Sequence, residues 1–324
     1  MTPPTVLDVY EARRRLRPQL PPTPLVHSSW LSSVTGGTVF LKLEIVNLTQ
    51  SFKIRGALNA VLKLAERAKA AGDTTPQIVT ASAGNHGRAL ALAAERAGQV
   101  AVVFTPSGAP EVKKTAIREH GAVLRDDCVD YDTAERRARE FAADTGAVYI
   151  SPYNHPDVIA GAGTIGLEIV EAMPALDTVI IPLGGGGLAS GVALAIKAAA
   201  PRSAIIGVEV DASSPFTTGL AAGHIVTITP RESLADGLTG NLEPGSITFP
   251  LVQRLVHRIV TVSEDAVAGA MGALGGRERL IVEGAGATAT AAVLAGRLSL
   301  RDQRAVVLVT GANVDLRTWL GTVR

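Results

Sequence analysis

The segment SFKIRGA, residues 51–57, holds a lysine in surroundings that suit a surface lysine poorly. Lys53 follows the aromatic Phe52 and precedes the β-branched Ile54, with Arg55 two positions on. A lysine among apolar neighbours loses hydration, so its pKa falls and its neutral amine can attack a carbonyl group. The alternative is that Lys53 only opens the following helix and points into water. The seven residues alone favour that alternative, and three further segments reverse the preference.

Apolar strands and amphipathic helices alternate on both sides of this segment. Strands are predicted at 38–43, 77–81, 100–105, 122–125, 148–151, 178–183, 204–210 and 306–310. Helices are predicted at 6–17, 55–71, from the end of the second strand to 97, and at 111–120, 133–144, 157–172, 188–199, 264–275 and 284–296. Such alternation implies parallel strands with crossover helices. We therefore predict an α/β protein of two lobes that share a cleft, with the irregular stretch 211–250 wrapping the outside of the site.

Composition argues against several classes of function. The 324 residues include 31 Lys and Arg against 30 Asp and Glu, so no overall field favours nucleic acid or an anionic membrane. Aromatic residues make up only 4%, which is few for a base-stacking surface. The single cysteine, Cys128, cannot form an internal disulfide, and no apolar run is long enough to span a bilayer. We predict a cytoplasmic protein without nucleic-acid or membrane partners.

Four consecutive glycines, Gly184, Gly185, Gly186 and Gly187, lie between an apolar strand and an alanine-rich helix. Glycines there let backbone amides approach a phosphate, and the N-terminus of the helix favours its negative charge. The pattern is neither a P-loop nor GxGxxG, because no Lys-Ser/Thr pair follows and the spacing differs. A tight strand-to-helix turn is the alternative. Four glycines exceed what such a turn needs, since each adds entropy to the unfolded chain.

Two other strand ends carry polar side chains. SAGNHG, residues 82–87, offers side-chain donors and exposed amides that suit a substrate carboxylate. The alternative is that Ser82 caps the helix and Asn85 fills a left-handed turn. VTGANVD, residues 309–315, presents Thr310 at a strand end, where ligands collect in open parallel sheets. With the poised lysine, these turns are the parts that a phosphate-bearing cofactor requires.

Metal binding has weaker support in the sequence. The six histidines have no partners at a metal-ligand spacing, which argues against zinc. Glu209 and Asp211 end a strand and would suit a cation, although a solvated strand end is the simpler interpretation. The charged run DTAERRAREFAAD, residues 132–144, is typical of a solvated helix face.

In their order and separations, SFKIRGA, SAGNHG, PLGGGGLASG (residues 182–191) and VTGANVD resemble the fold-type II pyridoxal-phosphate enzymes. Within that group they resemble the threonine/serine dehydratase (ammonia-lyase) and serine racemase branch, over nearly the whole chain. The resemblance implies a tryptophan synthase β-like fold of two lobes, each a mostly parallel twisted sheet flanked by helices. It also implies a large cofactor-binding domain of residues 1–50 and 146–324, a small substrate-side domain of residues 51–145, and a homodimer.

The resemblance assigns cofactor contacts by position. Lys53 would hold pyridoxal 5′-phosphate as a Schiff base, and Phe52 would lie beside the cofactor. Asn85 would hydrogen-bond the pyridoxal 3′-oxygen, and Thr310 would face the pyridine nitrogen. The four glycines would cradle the phosphate, with Asn154 close by.

The resemblance also implies substrate and cation contacts. The substrate carboxylate would be held at the turn that includes Ser82, Ala83, Asn85 and His86. Glu209 matches the acidic residue of a divalent-cation site in the family. The second carboxylate of that site is replaced by Pro215, which weakens the case for Mg²⁺ and leaves a monovalent cation as the alternative.

The implied reaction is elimination of water from a β-hydroxy amino acid, giving a 2-oxo acid and ammonia. Substrates in view are threonine, serine, and relatives such as 3-hydroxyaspartate, phenylserine or a hydroxyectoine breakdown product. In the racemase pattern a serine directly precedes Gly-Asn-His, whereas this sequence has Ala83, so racemisation would lack a proton donor. The alternatives are a β-replacement synthase, an amino-acid racemase and a non-catalytic ligand-binding relative. We also expect no isoleucine feedback through a C-terminal regulatory domain.

Overall fold

Residues 1–323, the part of the chain that the computed structural model describes, form ten strands and thirteen α-helices. The strands are β1 (Leu25–His27), β2 (Thr38–Leu43), β3 (Ile78–Ala81), β4 (Ala101–Pro106), β5 (Val123–Cys128), β6 (Val148–Tyr149), β7 (Thr178–Pro182), β8 (Ala204–Val210), β9 (Arg258–Val262) and β10 (Arg304–Val309). The helices are α1 (Val6–Leu16), α2 (Ser29–Thr35), α3 (Lys53–Ala71), α4 (Asn85–Arg96), α5 (Glu111–Arg118), α6 (Tyr131–Thr145), α7 (Pro156–Ala172), α8 (Gly187–Ala199), α9 (Pro215–Ala222), α10 (Thr248–Leu255), α11 (Glu264–Ala273), α12 (Gly284–Leu294) and α13 (Leu316–Thr322).

Six strands form one sheet in the order β1-β2-β10-β7-β8-β9. All neighbours are parallel except β1 and β2, so one antiparallel strand closes an edge. Alternate side chains of the central strands enter different cores because a strand has a period of two. Ile180 and Val307 pack in the core that includes residues of α11 and α12. Ile181 and Val306 pack in the core that includes residues of α7 and α8, so helices cover both faces.

Four parallel strands form a second sheet in the order β5-β4-β3-β6. Residues of α3 and α4 pack in one of its cores and residues of α6 in the other. Strand β6 belongs here because Val148 and Tyr149 pair with β3. The predicted domain boundary at residue 146 falls just before this strand, and the division into two domains stays a prediction.

The predicted α/β architecture with mostly parallel sheets is confirmed, but several elements were not predicted. They are β1, α2, α9, α10 and β9. Helix α9 reads PFTTGLAA, and its two threonines and glycine give it poor intrinsic helix propensity. It forms with Pro215 in its first turn and with the Glu209 carboxylate accepting hydrogen bonds from the amides of Phe216 and Thr217. Within residues 1–323, every helix is too short or too polar to serve as a membrane span.

Helix α3 is fixed at its first turn, where the lysine lies. A Cβ atom on Gly161 of α7 would lie 2.4 Å from the Arg55 carbonyl oxygen, so α3 and α7 cross at a contact that only glycine permits. The buried Arg55 guanidinium donates to Glu44 at 2.8 Å and to Glu168 at 2.5 Å. Lys42 also donates to Glu168, at 2.5 Å. These bonds connect the start of α3 to β2, to the turn that follows it and to α7.

Candidate active site

A cleft of about 1710 Å³ lies between the two sheets. The ends of β3, β7 and β10 open into it, as expected for ligand sites at the carboxyl ends of parallel strands. Most of the predicted site residues line it: Phe52, Lys53, Ser82, Ala83, Asn85, His86, Gly184, Gly185, Gly186, Gly187 and Thr310. Asn154 and Glu209 are buried outside this lining.

Lys53 is the first residue of α3, and its amine lies inside the cleft. The Nζ atom donates to the Pro152 carbonyl oxygen at 3.0 Å and lies 5.1 Å from the centroid of the Phe52 ring. Burial lowers the pKa of Lys53 to about 8, and the negative charge of Glu283 opposes that shift. The amine is therefore within reach of neutrality near physiological pH. The alternative of a lysine pointing into bulk water does not hold.

Thr310 joins the lysine segment to the six-stranded sheet. It is buried at the end of β10, and its carbonyl oxygen accepts a hydrogen bond from the Phe52 amide at 3.0 Å. Next to this bond, Ser51 forms an antiparallel bridge with Gly311. The backbone before Lys53 is thus attached to the strand end that carries the Thr310 hydroxyl.

The glycine turn, residues 184–187, is packed so closely that side chains would not fit. A Cβ atom on Gly185 would lie 2.3 Å from Cγ of the Tyr153 ring, and one on Gly184 would lie 2.9 Å from the Leu238 Cα. Gly186 has φ +84°, a left-handed conformation that favours glycine. Within residues 1–323, the amides of residues 184–189 donate to no backbone or side-chain acceptor. These free amides at a helix N-terminus fit a phosphate group.

The asparagine turn, residues 82–87, uses side chains instead. Asn85 Nδ2 donates to Glu283 Oε1 at 2.7 Å, and Asn85 Oδ1 accepts from Asn313 Nδ2 at 2.6 Å. Glu283, which the sequence did not single out, also accepts from the Asn313 amide at 3.1 Å. Burial raises the pKa of Glu283 to about 7, although the bond from Asn85 opposes that shift. The Lys53 amine, the free amides of the glycine turn and the hydrogen-bonded Asn85 side chain thus line one cleft.

A family model described as "Pyridoxal-phosphate dependent enzyme" matches residues 16–311. The chain belongs to this family. It is 40% identical to the L-threonine ammonia-lyase of Thermotoga maritima over 96% of this chain and 76% of that one. A threonine deaminase from T.th. superposes with a TM-score of 0.87 at 37% identity, covering 97% of this chain and 99% of that one. Maize serine racemase superposes with a TM-score of 0.90 at 32% identity, covering 99% and 98%.

These similarities confirm the resemblance to the fold-type II threonine/serine dehydratase branch and the predicted fold class. They also confirm pyridoxal phosphate as the cofactor. The residues of the cleft fit that group. Lys53 would supply the amine, and the glycine turn would supply free amides for the phosphate.

The buried His86 ring is held in one tautomer, and its role in binding the substrate carboxylate stays a prediction. Its Nε2 lies 3.1 Å from the Ile150 carbonyl oxygen, which can only accept, so Nε2 carries the proton. Burial and the positive charge of Lys53 lower the pKa of His86 to about 3, which keeps the ring neutral. The remaining Nδ1 is then an acceptor and cannot donate to a carboxylate. Donors at this turn are then the first-turn amides of α4, which have no intrahelical partner, and the Ser82 hydroxyl, which accepts from the Gly84 amide and can still donate.

Asn154 stabilises a loop next to the residue that packs on the glycine turn. Its Nδ2 donates to Glu243 at 2.8 Å, and its Oδ1 accepts from the Ile247 amide at 3.0 Å. The neighbouring Tyr153 packs against Gly185, and its hydroxyl accepts from the Glu243 amide at 2.8 Å. In this structure Asn154 therefore holds the loop that fixes Tyr153, and a direct phosphate contact stays a prediction.

Glu209 caps a helix in this structure. Its carboxylate accepts hydrogen bonds from the Phe216 amide at 2.8 Å and from the amide and hydroxyl of Thr217 at 2.9 and 2.5 Å. Burial raises the pKa of Glu209, and these bonds oppose that shift. Among residues 1–323, no group of three His, Cys, Asp or Glu side chains is placed to hold a metal ion. The cation site stays a prediction.

Sequence reasoning missed Glu283, Asn313 and Glu243. Each contacts its functional partner across a long stretch of chain: Glu283 lies 198 residues from Asn85, and Glu243 lies 89 residues from Asn154. One local signal was available for Glu283. Glu283 is an acidic residue directly before GAGATAT, the start of an apolar helix. A carboxylate at that position is typical of a helix N-terminus, where it interacts favourably with the helix dipole.

Proposed function

We propose that this enzyme eliminates water from a β-hydroxy amino acid, L-threonine or L-serine, and releases a 2-oxo acid and ammonia. The observation that carries the proposal is the Lys53 amine. It has a pKa of about 8 and lies in one cleft with the free amides of both strand-to-helix turns. Relatives of similar sequence are named L-threonine ammonia-lyase, which supports this choice of reaction.

Each of the predicted site residues that the cleft brings together then has a role in binding or in proton transfer. Bound pyridoxal phosphate supplies the electron sink for charge that develops at the substrate Cα. Lys53 Nζ removes the Cα proton, a step to which a base with a pKa near the working pH is suited. The first-turn amides of α4, at Asn85 and His86, hold the substrate carboxylate at a helix N-terminus. The glycine turn binds the phosphate, and Thr310 presents a hydroxyl at the strand end.

The alanine at position 83, directly before Gly84, favours water elimination over racemisation. Ala83 lines the cleft with a methyl group, where the racemase pattern has a serine. A methyl group cannot return a proton to the second face of Cα. Racemisation is therefore a minor reaction in this proposal.

The remaining expectations are part of the same proposal. The large domain is residues 1–50 and 146–324, and the small domain is residues 51–145, with β6 pairing to β3 across that boundary. The protein acts in the cytoplasm as a homodimer, on a small amino acid and without nucleic-acid or membrane partners. A cation at Glu209 would have to replace the bonds that now cap α9.

The test is a product assay on the purified protein loaded with pyridoxal phosphate. The substrates supplied in turn are L-threonine, L-serine, 3-hydroxyaspartate and phenylserine, and the 2-oxo acid and the ammonia that are released are both measured. Elimination should release the two products in equal amounts. Lys53→Ala should lower turnover by roughly 10³-fold or more for every substrate, since it removes the base. Lys69→Ala, an exposed lysine at the other end of α3, is the matched control and should leave turnover unchanged.

Other outcomes identify other functions. A thiol amino acid formed from serine and sulfide, without 2-oxo acid, would show a β-replacement synthase. Inverted serine as the main product would show a racemase. A preparation that binds no cofactor and stays colourless would indicate a ligand-binding relative without catalytic activity.

A further inference from the structure

Asn85 belongs to a chain of four polar side chains that begins at Arg88 and ends at Glu283. Asn85 Oδ1 accepts from Asn313 Nδ2 at 2.6 Å, and Asn313 Oδ1 accepts from Arg88 Nη1 at 2.8 Å. Asn313 Nδ2 also donates to the Thr49 carbonyl oxygen at 2.8 Å. At the other end, Asn85 Nδ2 donates to Glu283 Oε1 at 2.7 Å. Two side-chain amides are thus enclosed between a guanidinium, a carbonyl oxygen and a carboxylate.

The chemistry of the end groups fixes which way each amide points. A guanidinium can only donate and a backbone carbonyl can only accept, so Asn313 must turn its oxygen to Arg88 and its nitrogen to Thr49. That nitrogen also contacts Asn85, so Asn85 must present its oxygen there. The Asn85 nitrogen is then left facing the cleft and the Glu283 carboxylate.

Arg88 lines the cleft and lies one turn after Asn85 on α4. Within residues 1–323 it forms no salt bridge, and its buried Nε has no hydrogen-bond partner. A partly buried arginine without a carboxylate partner is costly to desolvate. Its Nη1 bond to Asn313 connects the guanidinium to the Asn85 amide.

We propose that Arg88 is a positioning residue, which acts through Asn313 to hold the Asn85 amide with its nitrogen toward the cofactor. In that orientation Asn85 Nδ2 has one proton for Glu283 and a second for the 3′-oxygen of pyridoxal phosphate. A donor at that oxygen stabilises its ionised form. If the amide turned over, two oxygens would face each other and the donor would be lost. This inference rests on the proposed cofactor geometry.

The test compares variants that keep or reverse the donor at position 88. Arg88→Lys retains a group that only donates, whereas Arg88→Glu introduces one that accepts and attracts the Asn313 nitrogen. Apoprotein is titrated with pyridoxal phosphate to obtain Kd, and the absorption spectrum is recorded at saturation. Arg88→Glu should weaken binding by roughly ten-fold or more, the effect of one reversed buried hydrogen bond, and shift absorption to the shorter-wavelength form with a protonated 3′-oxygen. Arg88→Lys should keep the native spectrum and a Kd within about three-fold.

A purely structural role predicts a different pattern. Arg88 that only attached α4 to the segment around Asn313 would lower thermal stability in both variants without changing the saturated spectrum. An Arg88→Glu protein with native Kd and native spectrum overturns the proposal. Arg88→Lys with the spectrum of Arg88→Glu would also overturn it.

A second variant serves if Arg88→Glu does not fold. Asn313→Asp has nearly the same shape and keeps an oxygen for Arg88, but it cannot donate to Asn85. It should reproduce the weaker binding and the shifted spectrum, and native values for both would contradict the relay. Titration of the wild-type protein with pyridoxal phosphate distinguishes failure of the proposed function from failure of the proposed role of Arg88. Failure of wild-type protein to bind pyridoxal phosphate removes the proposed function, whereas normal wild-type binding with unaffected variants removes only the role of Arg88.

Discussion

The glycine turn and the asparagine turn both lead from a buried parallel strand into a helix, yet they are built to bind by different means. The glycine turn offers backbone amides, and its shape is fixed by contacts such as that between Gly185 and the Tyr153 ring. The asparagine turn offers side chains, and its geometry is fixed by donors and acceptors around Asn85. The first should be sensitive to added atoms, and the second to reversed hydrogen bonds and charge.

Electrostatics separates the two turns further. The asparagine turn lies beside Glu283, whose pKa burial raises to about 7, and includes His86, whose pKa burial lowers to about 3. The glycine turn itself carries no ionisable side chain. Its affinity for an anion comes from free amides and the helix terminus, which do not titrate. One turn can therefore hold the phosphate over a wide pH range while the other responds to protons.

Gly185→Ala gives the largest expected effect and tests the steric half of the comparison. The added methyl group would displace the Tyr153 ring and the amides around it, so we expect Kd for pyridoxal phosphate to rise by about 100-fold, equivalent to losing one or two charge-assisted hydrogen bonds. Binding of pyridoxal, which has no phosphate, should hardly change. Both affinities are measured by titration of the apoprotein.

The control for this prediction is Gly269→Ala. Gly269 lies in α11 with no atom within 4 Å of an added Cβ, so this variant should bind like the wild type. Equal losses of pyridoxal and pyridoxal phosphate in Gly185→Ala would show that the glycine turn supports the fold and does not bind the phosphate specifically.

Lys53 lines the same cleft as the two turns, and its lowered pKa predicts an effect of intermediate size on the rate of cofactor attachment. Its folded pKa of about 8 lies below the ordinary 10.5, so the neutral amine becomes the main form as pH rises through 8. The rate at which apoprotein attaches pyridoxal phosphate covalently should rise about ten-fold from pH 7 to 9 and then level off. Timed borohydride reduction followed by mass spectrometry measures that rate.

A lysine of ordinary pKa would behave differently over the same range. Its rate would rise about 100-fold between pH 7 and 9 and continue to rise beyond pH 10. Nα-acetyl-lysine in the same buffers corrects for ionisation of pyridoxal phosphate itself. A protein rate that follows this free lysine would refute the lowered pKa.

The sequence was sufficient where function follows from neighbouring residues. Lys53 and the glycine turn, which line one cleft, were singled out because an apolar setting and a glycine run are local signals, and the buried strands were predicted from their apolar content. Glu283 was missed because its importance comes from Asn85, which is 198 residues away. Helix α9 was missed for a related reason. Its own residues favour helix weakly, and the Glu209 carboxylate that caps it belongs to a strand.

Ala83→Ser gives the smallest expected effect and tests whether side chains of the asparagine turn decide the product. Ala83 lines the cleft, so a serine there would place a hydroxyl where a proton could return to the second face of Cα. A positioned proton donor contributes at least about 100-fold when its geometry is ideal, and an unoptimised one less. We therefore expect D-serine formation from L-serine to rise by roughly three-fold while elimination remains the main reaction, as measured by chiral chromatography. Ala83→Val adds volume without a donor and should produce no such rise; if it matches Ala83→Ser, the product is not set by a hydroxyl at this position.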